Sequence, residues 1–200
     1  MRQAGKSFIQ SITITEWVLM ALLAASNSVL SSLISPLSKL LTAWGGPILT
    51  STITGVYMVY GLLAMYIIRK PGAALFTYAI GALLQIMIGV AYGAWSAIAA
   101  AACYAVIVEP IFYLYRYKKF SWVTMLLVGT LMVPLWFVVA AFMFGYTKYA
   151  PVILLITLIV RCISGMLLCG ALTKWLGDQL AGTRYVRPFA IGRDARSKQA

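Results

Sequence analysis

Residues 16–35 read EWVLMALLAASNSVLSSLIS, and Glu16 is the only charged residue in the run. At ~1.5 Å per residue such a stretch reaches ~30 Å, the thickness of a bilayer's hydrocarbon core, so it predicts a membrane-spanning helix. Its two halves differ. Ala21 and Ala25 stand one turn apart and form a small-residue face that lets another helix come close, whereas Asn27, Ser28, Ser31 and Ser32 offer polar contacts.

The rest of the chain has the same character. Of 200 residues, 62% are hydrophobic and 10% charged, and the mean hydropathy is +0.92. A water-soluble core cannot hide that much apolar surface, which predicts an all-α integral membrane bundle. Against 16 Lys and Arg stand only four acids, Glu16, Glu109, Asp178 and Asp194, for a net charge of +12. In a soluble protein that balance would suggest nucleic acid. Here the basic residues lie between apolar runs, which is the pattern of membrane orientation. The cysteines Cys103, Cys162 and Cys169 all fall inside apolar runs, as reduced packing residues do.

Outward from the first span, Pro36 to Gly46 (PLSKLLTAWGG) is expected to be an apolar loop lying on the membrane surface or over a cavity. Five further spans are predicted: Pro47 to Ile68, Gly72 to Tyr92, Trp95 to Tyr115, Trp122 to Phe144 with a kink at Pro134, and Pro151 to Leu176. The last is the longest and should tilt or protrude. Residues 1–176 thus form a six-helix membrane domain and 177–200 a basic, partly disordered tail. The basic start before the first apolar run could also belong to a signal peptide, but the run is too long and no convincing cleavage site precedes Asn27.

Thirteen Lys and Arg fall on one side of this arrangement, and only Lys39 and Lys148 on the other, with Arg161 inside the sixth span. The bias predicts cytosolic termini. Trp17, Tyr92, Trp95, Tyr115, Tyr117, Trp122, Tyr146 and Trp175 lie near the expected interfaces, where aromatic residues serve as anchors.

Chemistry is restricted by what is missing. The sequence has no histidine, no G-x-x-x-x-G-K-[ST] loop, and no spaced cysteine or carboxylate set for a metal. Neither an enzyme nor a cofactor is expected. The sharper feature is a pair of intramembrane charges, since ionisable groups in a bilayer normally face a partner or a cavity. Arg161 lies about 16 Å, and Glu109 about 21 Å, below the outer ends of their spans. Similar depth predicts a Glu109–Arg161 ion pair, and either residue could instead face a ligand.

Further polar and aromatic residues share the outer half or mid-depth: Asn27, Thr52, Tyr57, Gln85 and Trp136. With Trp44, Tyr92, Trp95 and Tyr146 they would line a pocket opening outward, with flat walls and amide hooks for a small planar ring compound. Each alone reads more readily as packing or anchoring, and it is their shared side of the membrane that points to a pocket. A self-sufficient small carrier or channel would also carry such residues.

Several stretches together resemble a known family: Ala21-x-x-x-Ala25, Gly46-Pro47-Ile48, Arg69-Lys70-Pro71-Gly72-Ala73-Ala74-Leu75, Glu109 late in its span, and Arg161-x-Ile163-Ser164-Gly165. They are similar to the substrate-binding S component of an energy-coupling factor (ECF) transporter, of the YkoE family linked to thiamine and its hydroxymethylpyrimidine precursor. The resemblance implies a vitamin-capturing protein of the prokaryotic plasma membrane that works with a transmembrane coupling protein and two cytosolic ATPases. It implies that Ala21 and Ala25 contact the coupling protein and that Pro36 to Gly46 gates the pocket; Glu109, as an intramembrane charge, is counted among the candidate substrate-binding residues on its own account. The family pattern has an acid soon after Gly-Pro-Ile, where this chain has Thr50, Ser51 and Thr52. That departure makes a neutral pyrimidine or another small vitamin-like ring competitive with thiamine as the expected substrate.

Overall fold

A computed structural model describes residues 12–89 and 93–197, which are helical apart from short turns. Helix α1 covers Ile14–Ser51, α2 Thr54–Ile68, α3 Ala73–Ile88, α4 Ala94–Leu114, α5 Trp122–Met143, α6 Pro151–Ala181 and α7 Ala190–Ser197. By length and hydropathy α1, α4, α5 and α6 can each cross a membrane, while α2 and α3 are apolar but shorter. Helix α3 packs between α1 and α4, α5 joins α4 to α6, and α2 lies against α3 and α6.

The segment Pro36 to Gly46, expected as a loop, is helical as far as Trp44. Pro36 removes only one backbone bond, and in hydrocarbon abandoning a whole turn would leave several groups unpaired, so the helix continues through it. The break comes at Gly45 and Gly46, whose backbone leaves the helical region, Gly46 with φ 60°. There the chain folds back. Thr42 Oγ1 and Thr50 Oγ1 are 2.7 Å apart, whereas eight residues of straight helix would span about 12 Å. A second contact, Ser38 Oγ to Tyr57 Oη at 2.7 Å, closes the same corner.

The third span is shorter than expected, with α3 ending at Ile88 before Gly89, whose φ is 84°. Helix α5 runs unbroken through Pro134. Helix α6 continues past Leu176 to Ala181 and contains a widened π turn over Gly165–Ala171. Small residues at that turn bring α5 and α6 into backbone contact: a Cβ on Gly165 would lie 2.5 Å from the Gly129 carbonyl oxygen. The basic C-terminal stretch is docked rather than loose over its described part. Val186, Phe189 and Ile191 are buried, and α7 packs on α2 and the end of α6.

The turns rich in Lys and Arg gather at one end of the bundle, and their polar contacts are dense. The Glu109 carboxylate accepts from the backbone N–H groups of Gly72 (3.2 Å), Ala74 (3.1 Å) and Leu75 (3.1 Å). It thereby caps the free donors and positive dipole end of α3 from a neighbouring helix. Tyr117 Oη donates to it as well, at 3.1 Å. Burial, and then the Glu109 charge and this bond, hold the Tyr117 hydroxyl well above its ordinary pKa, so it stays a donor. Lys70 Nζ reaches Glu16 at 2.8 Å, Arg69 pairs with Asp194, and Asp178 accepts from Tyr66 Oη (2.6 Å) and Lys174 Nζ (2.7 Å).

Candidate functional site

At the opposite end the helices diverge around a cavity of about 890 Å³, counting its mouth. Three serines of α1, Ser31, Ser35 and Ser38, form one wall at spacings of four and three, which places them on one helical face. Thr50, Thr54, Tyr57 and Tyr60 enter from the folded-back corner and the start of α2, and Gln85 from the end of α3. Ser96, Ala97, Ala100, Ala101 and Tyr104 supply the α4 side, where three alanines keep the wall flat. Trp136, Ala140, Phe144, Tyr146 and Arg161 complete it from α5, the following turn and α6.

The rings in this wall touch in sequence. Tyr104 meets Trp136 with centroids 6.2 Å apart, Trp136 meets Phe144 at 6.4 Å, and Phe144 meets Tyr146 at 6.0 Å. Behind them Tyr60 and Tyr78 make an edge contact at 4.9 Å, and Tyr78 continues to Tyr104 at 5.5 Å. Such offset and edge-on contacts fix ring orientation, so one side of the cavity is a run of mutually braced rings. Around it hydroxyls, one primary amide and one guanidinium supply the hydrogen-bonding groups.

Arg161 is 4% exposed. Its Nε donates to Ser51 Oγ at 2.9 Å and its Nη2 to Tyr146 Oη at 3.4 Å. The guanidinium carbon lies 5.3 Å from the Phe137 ring centroid and 5.5 Å from that of Tyr146, within cation–π range. The expected ion pair with Glu109 is absent, because Glu109 is bound at the other end of the bundle. Five residues separate Glu109 from the last residue of α4, Leu114, or about 7.5 Å, so it belongs to the basic end. It lies outside the cavity lining.

Of the other residues singled out from sequence, Tyr57, Gln85, Trp136 and Tyr146 are brought together in the cavity wall. Asn27 is buried but turned along its own helix toward Ser31, with Nδ2 to Oγ at 3.4 Å, and does not line the space. Thr52 is exposed, its hydroxyl returned to the Leu49 carbonyl at 2.7 Å. Trp44 and Trp95 are 81% and 78% exposed and face away from the protein. Tyr92 falls outside the described residues. Tyr60, Tyr104, Phe144 and the serine stripe were not anticipated as ligand-facing, although the spacing of Ser31, Ser35 and Ser38 was a readable sign.

Comparison with known proteins assigns this architecture. A family described as "ABC-type cobalt transport system, permease component" matches residues 15–135, more than half of the chain. YkoE of Bacillus subtilis (strain 168), named as a candidate HMP/thiamine permease protein, is 32% identical over 191 residues, covering 96% of each chain. The crystal structure of an S-component of ECF transporter superposes with a TM-score of 0.88 at 32% identity, covering 94% of this chain and 95% of that one. The chain belongs to the S components of ECF transporters, in the YkoE group. An S component is the non-catalytic, substrate-binding subunit of an ABC-type vitamin importer, a multi-pass protein of the prokaryotic plasma membrane. Its family implies an assembly with a coupling protein and ATPases. The word cobalt belongs to the family description. Among the described residues no group of three or more His, Cys, Asp or Glu could hold a metal ion.

Proposed function

We propose that this S component captures a small pyrimidine-type ring compound, of the class named for its YkoE relative, from outside the cell. The ring-lined cavity is the observation that carries the reading: a planar ligand fits between Trp136, Tyr104 and Tyr146, with Gln85 and the α1 serines within the same wall. In this reading α2 and α3 are the two remaining spans, giving six, and the basic turns with both termini face the cytosol, as thirteen of the sixteen Lys and Arg support. The cavity, at the other end, then opens outward. The corner of Thr42, Thr50, Ser38 and Tyr57 is the part that closes over the ligand.

Delivery in this reading depends on α1. Ala21 is exposed and Ala25 half-buried on the side of α1 that also exposes Val18 and Leu22. That face is smooth enough for the close approach of a coupling-protein helix, and the coupling protein transmits the work of two cytosolic ATPases. Ala21→Trp should leave ligand affinity unchanged and abolish uptake by cells carrying the whole transporter. Normal uptake by this variant would refute the docking role. The ligand itself is tested by mass spectrometry of the small molecule that co-purifies with the protein, followed by fluorescence titration with hydroxymethylpyrimidine and thiamine. Recovery of a long-chain lipid alone, with no quenching by either ring compound, would refute the proposed substrate class.

A further inference from the structure

The turn between α4 and α5 holds three cations that no acid of the chain answers. Arg116, Lys118 and Lys119 are exposed and enter no ion pair among the described residues; Lys119 Nζ rests 5.6 Å from the Tyr115 ring centroid. The four acids are engaged elsewhere: Glu16 with Lys70, Asp178 with Lys174, Asp194 with Arg69, and Glu109 with the start of α3 and Tyr117. Cations just past a helix C-terminus often bond its last carbonyls. Here the backbone has taken that role, since the N–H groups of Tyr115, Arg116 and Tyr117 donate to the carbonyls of Ile111 (3.2 Å), Tyr113 (2.9 Å) and Phe112 (2.8 Å). The three charges are left without a structural task at the end of α4.

The turn is nonetheless built to hold them outward. Arg116 and Tyr117 both lie in the left-handed region, with φ 50° and 54°, which such residues keep only where their surroundings fix them. Two contacts do so: Tyr117 Oη bonds Glu109 at 3.1 Å, and Phe112 stacks on the buried Phe120 with centroids 4.7 Å apart. Exposed Tyr113 and Leu114 on the last turn of α4, and Trp122 and Val123 on the first of α5, flank the cations. Both helices are long and apolar enough to cross a membrane, so the turn that joins them lies at its surface, where aromatic residues settle at the headgroup level. An acidic protein would answer the cations but would give no use to four apolar side chains at the ends of membrane-crossing helices.

We infer that this turn binds an anionic phospholipid: the headgroup phosphate lies among Arg116, Lys118 and Lys119, and the acyl chains run past Leu114 on α4 and Val123 and Leu127 on α5, all exposed. The inference goes beyond the ring-ligand reading and uses none of the cavity residues.

The test is native mass spectrometry of the full chain in detergent, titrated separately with phosphatidylglycerol and phosphatidylcholine of the same acyl chains. The wild type should hold phosphatidylglycerol at least about tenfold more tightly, because each cation beside an anionic headgroup adds to the attraction. Arg116→Asn combined with Lys118→Gln and Lys119→Gln should lose most of that preference; asparagine is used at 116 because it accepts a left-handed backbone. Lys118→Glu with Lys119→Glu serves if the triple variant does not fold, and it should do the same. Arg184→Gln with Arg187→Gln and Arg193→Gln removes as much charge from exposed positions of the C-terminal segment and should keep the preference. No preference in the wild type overturns the site, as does an equal loss in the C-terminal variant, which would make net charge alone responsible. An unchanged ratio in the turn variant overturns it too, and if that variant also fails to co-purify with the other transporter subunits, the turn serves an acidic protein surface instead.

Discussion

The two ends of the bundle treat polar groups in opposite ways. At the basic end every carboxylate has a partner, and Glu109 alone accepts three backbone donors and a phenol. At the cavity end hydroxyls, an amide and a guanidinium face a space, and Arg161 keeps an unsatisfied donor. Among the described residues the basic end leaves one buried hydroxyl, that of Thr173, without a partner, whereas the cavity end leaves a charged donor so. Polar groups at the first serve stability, since leaving a buried partner unpaired costs more than the bond contributes. Polar groups at the second cost stability where they are left unmatched, and on the proposed reading a bound ligand would return it.

Three substitutions can break or sharpen that contrast. The largest effect is expected at Glu109. Glu109→Ala strips the cap from α3 and leaves three N–H groups unmatched, a loss of about 2 kcal/mol or more. Thermal unfolding in detergent should show a clear fall in melting temperature, with ligand affinity little changed; a large affinity loss in the still-folded protein would mean the two ends are not separable. Gln85→Ala should do the reverse. Losing one ligand hydrogen bond of about 1.4 kcal/mol weakens binding roughly tenfold, while the melting temperature of the empty protein holds or rises. The smallest effect is expected from Asp194→Asn. Asp194 is 59% exposed on its side chain, and such pairs contribute about 1 kcal/mol at most. A marked drop in melting temperature would show that α7 holds the basic end together far more tightly than its surface suggests.

The bundle itself was legible in the sequence because hydropathy and charge alternate along the chain, and hydrocarbon leaves little choice other than helices. The site was legible only in part. Counting along each span gives depth but not direction: Gln85 and Trp136 line the cavity, whereas Asn27 turns toward Ser31. Trp44 and Trp95 share that level yet point outward. Glu109 differs in another way: a depth counted from the outer end of its span conceals that the helix ends at Leu114, within reach of the start of α3 that Glu109 caps. The fold-back at Gly45 and Gly46 was hidden because Pro36, the more conspicuous breaker, is absorbed by the helix. Ser31, Ser35 and Ser38 look like ordinary membrane serines until the corner brings Tyr57 against them.

The placement of the four acids bears on how transport can be driven. A carrier that climbs a concentration gradient on the proton-motive force needs a group near its cargo that gains and loses a proton at physiological pH, in practice a carboxylate or an imidazole. This sequence has no histidine, and its carboxylates stand at the wrong end. Among the described residues no carboxylate or imidazole lines the cavity, in keeping with a family whose members work with a coupling protein and ATPases.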